Sequence, residues 1–81
     1  MTEPSVHEFS VYWVDPDGNA YPEARFIDVR AACKLAKSLM ERPAAQFGII
    51  RRVIITDGGD CTCFEWKHGV GIVYPPEEAA A

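Results

Sequence analysis

The sequence predicts an α+β domain in which one helix packs on one face of an antiparallel sheet, in the order β-β-α-β-β(-β). Two observations carry this. Segments of alternating apolar and polar residues lie on both sides of a single stretch with helical period, and Asp/Gly-rich turns join consecutive strands closely enough for hairpins. Two hairpins separated by one helix most simply close as an antiparallel sheet with the helix across it.

Residues Val6 to Val14 are rich in β-branched and aromatic types, with Phe9, Val11 and Trp13 on one face and Glu8, Ser10 and Tyr12 on the other. Asp15, Pro16, Asp17, Gly18 and Asn19 then combine a φ-fixing proline with a glycine that accepts positive φ, which makes a turn. A second strand is expected over Ala20 to Ile27. Pro22 inside it cannot donate to a ladder, so that strand is expected at an edge, short or bulged.

Asp28 is placed to cap a helix whose apolar period runs through Val29, Ala32, Cys33, Ala36 and Met40, flanked by Leu35 and Leu39. The helix should end near Arg42, because Pro43 lacks an amide hydrogen and disfavours helical geometry before it. Ile49 to Thr56 reads as the third strand, Asp57, Gly58, Gly59 and Asp60 as a turn, and Cys61 to Trp66 as its antiparallel partner. Lys67, His68 and Gly69 turn the chain into a last strand, Val70 to Tyr74. Residues 1–76 thus form a single domain, and 77–81 an acidic, alanine-ended tail without periodic apolar residues, expected to fray.

Of 81 residues, 48% are hydrophobic and 25% charged, the balance of a globular chain whose core is one layer thick. That leaves little room for a deep substrate cleft. No apolar run approaches the roughly 20 residues of a membrane span, and the first residues lack the regions of a secretory signal. Three cysteines, Cys33, Cys61 and Cys63, suit reduced thiols better than a disulfide framework, so a cytoplasmic location is expected, without membrane contact. Cys33 is expected to act as a small hydrophobe in the core. A net charge of −4 argues against affinity built on phosphate neutralisation, which makes direct nucleic-acid binding an alternative rather than the leading reading.

No constellation carries a specific chemistry. Cys61, Cys63 and His68 fall short of the four ligands of a structural zinc site, and neighbours on one hairpin rarely supply nucleophile, base and oxyanion donors around a pocket. Neither metal, cofactor nor catalytic residue is expected, and the chain is read as non-enzymatic. The segment from Asp15 fails as a calcium loop, because its glycine comes fourth and the twelfth residue is Phe26. Arg30, Lys34 and Lys37 form a basic helical stripe that reads as a solvated face, or in the alternative as the contact of a small nucleic-acid-binding regulator.

The candidate partner surface follows from alternation. With Phe9, Val11, Trp13, Val53, Ile55, Phe64 and Trp66 facing the helix, Tyr12, Tyr21, Glu23, Arg25, Ile50, Arg52, Ile54, Cys63 and Glu65 are expected to face away. Tyrosine and arginine amid aliphatic and acidic residues is the composition of protein interfaces. The expected partner-binding set is Tyr12, Asp15, Asp17, Tyr21, Glu23, Arg52, Ile54, Asp57, Asp60 and Glu65, the chain itself being a monomer or a homodimer.

In size, mild acidity, single-helix α+β order and lack of catalytic motifs, the chain resembles the small inhibitors encoded by phages and mobile elements, anti-CRISPR proteins among them. The likeness is one of overall type. Thr56, Asp57, Gly58, Gly59 and Asp60 match no motif of that group, so no functional residue is carried over. The resemblance implies a stoichiometric inhibitor of a host nucleic-acid-handling complex, with carboxylates such as Asp15, Asp17, Asp57, Asp60 and Glu65 competing for a basic surface.

Overall fold

A computed structural model describes residues 7–59 and 61–74. The strands are β1 (Phe9–Val14), β2 (Ala20–Ile27), β3 (Arg52–Thr56), β4 (Thr62–Lys67) and β5 (Gly71–Tyr74), with helices α1 (Val29–Glu41) and α2 (Pro43–Gln46) between β2 and β3. They form one five-stranded antiparallel sheet in the order β2-β1-β3-β4-β5. The expected class and order hold, and Ala20–Ile27 is an edge strand. The expected strand start at Val6, the turn residue Asp60 and everything after Tyr74 lie outside the described residues.

Helix α1 begins where Asp28 Oδ1 accepts the Ala31 amide at 2.7 Å, which satisfies one of the unpaired donors of the first turn. Its buried face is Ala32, Ala36 and Leu39, spaced four and three residues apart, with Leu35 and Met40 packed beside them. This stripe meets Val11 of β1 and Val53 and Ile55 of β3, so the helix lies over the two central strands. Two alanines at the centre let the helix backbone come close to the sheet.

The helical face is rotated from the one expected. At about 100° per residue, centring the stripe on Ala32, Ala36 and Leu39 turns Cys33 outward to the exposed side, while Val29, near the stripe's own azimuth, is exposed as the first residue of the helix. Leu39, expected at the flank, is fully buried. Large flanking leucines offer more area than valine and cysteine, and that decides the rotation.

Pro43 does stop α1, whose last cap is Arg42 at φ −70° and ψ 150°, the extended geometry favoured before proline. It also opens α2, since at the first helical position its missing N–H has no partner to lose. This second helix was not legible from periodicity, being four residues long. Gly48 at φ +82° then reverses the chain, and the Ile49 and Ile50 amides bond to Ala44 O at 2.8 and 3.1 Å. Strand β3 therefore starts at Arg52 rather than Ile49. Ile50, expected to face away from the helix, turns inward and is buried with Ala45 as the lid on that end of the core.

Strand β2 needs its eight residues to oppose six of β1, and two bulges take up the difference. In one of them Phe26 adopts φ 58°, a conformation that L-residues avoid at a cost of roughly 1–2 kcal/mol, and its ring is thrown out to 68% exposure.

Truncating the side chain at the centre of the helix–sheet contact should be far more costly than truncating an exposed one. Leu39→Ala is expected to lower the stability measured by urea unfolding by about 2–5 kcal/mol, whereas Phe47→Ala, at a residue 81% exposed, should change it by less than about 0.5 kcal/mol.

Candidate interaction surface

One helix covers one side of the sheet, and the other side carries three rows of side chains set by strand register. Ser10, Thr56 and Thr62 form a hydroxyl row across β1, β3 and β4. Tyr12, Ile54, Glu65 and Tyr74 form the middle row, directly opposed from β1 to β5. Val14, Arg52 and Lys67 form the third. The middle row mixes aromatic, aliphatic and acidic groups within one line of neighbouring strands.

Two cations are anchored on this row. The Arg25 guanidinium lies 5.7 Å from the centre of the Tyr12 ring, within cation–π range. Arg52 reaches diagonally to Glu65, its Nε donating to Oε2 at 2.7 Å and its Nη2 pairing with the same oxygen. With Arg52 42% and Glu65 15% exposed, solvent screens the pair and it contributes at most about 1 kcal/mol to stability. Its main effect is geometric, because it holds two long side chains in one arrangement.

The expected site residues do not all come to this surface. Tyr12, Arg52, Ile54 and Glu65 do. Tyr21, expected to face away from the helix, is directly opposite Trp13 and stacks on it at 4.6 Å, on the helix side. Trp13, half-buried at the margin of the core, takes the Tyr21 ring as cover on its open side. The Glu23 carboxylate pairs at 3.5 Å with Arg42, beyond the end of α1, so it too belongs to the helix side, shifted there by the bulge that separates Tyr12/Pro22 from Val11/Ala24. Cys63 is the extra residue of the bulge between Thr62 and Phe64. Arg25, expected to face away from the helix, does so over Tyr12, and Tyr74 joins the surface as well. Alternation along β5 could have shown Tyr74, but the bulge between Glu65 and Trp66 breaks the count.

The acidic turns lie at opposite ends of the sheet and are held by their own carboxylates. Asp15 Oδ1 accepts the amides of Asp17 and Asn19 at 3.0 and 2.9 Å, and Oδ2 accepts the Tyr21 hydroxyl at 2.8 Å. Gly18 at φ +88° closes this turn. At the other end Asp57 Oδ1 accepts from the amides of Gly59 and Cys61 at 2.9 and 3.1 Å. Asp17 is exposed at the first turn, and Asp60 lies outside the described residues.

The cysteines are free thiols. Cys63 Sγ donates to the Ile55 carbonyl at 3.4 Å, and burial, followed by the nearby Asp57 charge, pushes its pKa up. A protonated thiol is the opposite of what a nucleophile or metal ligand requires. His68 sits at the far end of β4, against Gly48 and edge-on to Trp66. Among the described residues no group of three or more His, Cys, Asp or Glu is arranged to hold a metal ion, and no helix is long and apolar enough to cross a membrane.

The Asn19 amide, with the Tyr21 hydroxyl, holds the Asp15 carboxyl below its usual 3.8, against an opposing effect of desolvation. A folded-state pKa below the unfolded one means the turn is stabilised at pH values above the ordinary carboxylate range and loses this as pH falls through the folded value. A carboxyl-carbon NMR titration should therefore place Asp15 below 3.8, and Tyr21→Phe should raise it. An Asp15 that titrates at the same pH in both proteins would show that the Tyr21 hydroxyl does not hold it.

No protein-family model, curated protein or solved structure matches the chain.

Proposed function

We propose that this chain is a non-enzymatic protein-binding module whose contact surface is the helix-free face of the sheet. The observation that carries the reading is the ordered middle row, Tyr12, Ile54, Glu65 and Tyr74, with Arg25 over Tyr12 and Arg52 fixed on Glu65. Tyr and Arg are the types that anchor protein interfaces, and side chains ordered before binding lose less entropy on binding.

Within this reading the module acts in the cytoplasm as a stoichiometric inhibitor of a host nucleic-acid-handling complex. The net charge of −4 and the resemblance in type to phage-encoded inhibitors support that assignment. Asp17, exposed in the first turn, supports contact with a basic surface, whereas the Glu65 carboxylate is already paired with Arg52. Asp15 and Asp57 contribute negative potential from turns that their own oxygens hold together.

The test is affinity capture from nuclease-treated and untreated lysate, with a partner identified by mass spectrometry and its affinity then measured. Tyr12→Ala combined with Arg52→Ala should weaken binding of a nuclease-resistant partner by roughly 30-fold or more, while Lys34→Glu with Lys37→Glu leaves it unchanged. Retention only of nuclease-sensitive material, lost with the lysine pair and steeply with salt, would contradict the reading and favour nucleic acid on the α1 stripe.

A further inference from the structure

The end of the sheet where β3 begins and β4 finishes gathers four residues that carry or accept positive charge. Arg52 and Lys67 are directly opposed, and the His68 amide donates to the Arg51 carbonyl at 2.8 Å, so Arg51 and Arg52 face Lys67 and His68 across the two strands. Arg52 and Lys67 lie on the helix-free side. Arg51 and His68 converge beside Gly48, where a Cβ would lie 3.4 Å from Arg51 Nη1 and 3.3 Å from His68 Nε2. Three of the chain's eight lysines and arginines thus stand in one block, in a protein whose net charge is −4.

Like charges directly opposite each other destabilise a pair of strands, and little nearby offsets these. Among the described residues the block's one ion pair is Arg52 with Glu65, and Arg51, Lys67 and His68 pair with no carboxylate. The Asp15 turn begins one strand away, after Val14, whose carbonyl accepts the Arg51 amide at 2.7 Å. Its Asp15 oxygens are taken by the amides of Asp17 and Asn19 and by the Tyr21 hydroxyl. The block therefore presents positive charge whose counter-charge is not built into the described fold. Apolar side chains border it. Phe47 and Ile49 flank Gly48 in the chain, Val70 follows two residues after His68, and all three are exposed, Val70 by 72%.

We propose that this strand end binds an acidic segment of a protein partner, one whose carboxylates meet Arg51, Lys67 and His68 and whose interleaved apolar side chains cover Phe47, Ile49 and Val70. Charge complementarity selects the carboxylates. The apolar border decides between this ligand and a phosphate backbone. Two of its three residues are aliphatic and offer no ring for a base to stack on, while a chain of net charge −4 repels a long polyanion more than a short acidic segment. The inference concerns the strand end, not the middle row, and does not rest on the proposed function.

The probe is a short capped peptide of Glu interleaved with Leu, titrated into isotope-labelled protein and followed by amide NMR shifts. The shifts should change at residues 47–52 and 66–70. Replacing Glu by Gln in the peptide, or Arg51→Glu with Lys67→Glu in the protein, should weaken binding by about tenfold or more. The variant should keep its circular-dichroism spectrum, since both side chains are exposed. Tyr12→Ala should leave the affinity unchanged. No binding of the Glu/Leu peptide, binding that the Gln peptide or the charge-reversed variant retains, or binding lost with Tyr12→Ala would overturn the proposal. Tighter binding at the same residues by a thymidine oligonucleotide of equal charge would also overturn it and assign the block to nucleic acid.

Discussion

Everything in this fold depends on the contact between the Ala32, Ala36 and Leu39 stripe of α1 and Val11, Val53 and Ile55 on β1 and β3. Among the described residues it is where the helix and sheet layers meet at full depth, and six of the nine buried hydrophobic side chains belong to it. A helix of 13 residues spans about 20 Å and is some 10 Å wide, enough for two strands and not for five. The outer strands must therefore manage with what lies at the helix margin. Trp13 is covered by Tyr21 stacked on it, and Trp66 has His68 at its edge. Ala45 and Ile50, from the connection between α1 and β3, close the remaining end.

The same shortage of cover leaves open the sheet face proposed above as a contact surface. Among the described residues no second layer covers the helix-free face, and side chains on it engage one another: Arg25 on Tyr12, Arg52 on Glu65. At the sheet edges β2 carries proline, charge and two bulges, and β5 is bulged at Val73. A domain of this size has little interior to spare for a pocket, and a sheet face is the broad area it can offer to a partner.

Sequence periodicity was enough for the strands, the main helix, the edge position of Ala20–Ile27 and the faces of Val11, Val53 and Ile55, because period-2 and period-3.6 patterns report burial directly. It failed wherever an extra residue enters a strand. Tyr21 on the far side of a bulge, Glu23 and Cys63 each within one and Tyr74 beyond another all escape simple alternation, since each bulge resets which residues share a face. The rotation of α1 away from Cys33 needed knowledge of what it packs against. Asp15 and Asp57 were visible as turn residues, but their engagement by local amides depends on atomic geometry that composition does not carry.

Native-state hydrogen exchange tests the central claim, that stability is concentrated where α1 crosses the two middle strands. The amides of Phe9–Val14 and Arg52–Thr56 should exchange only through global unfolding, with those of β2 and β5 opening at distinctly lower free energy in dilute protein. Equal protection across all five strands, or greatest protection in the β4–β5 hairpin, would contradict an account built on that single contact.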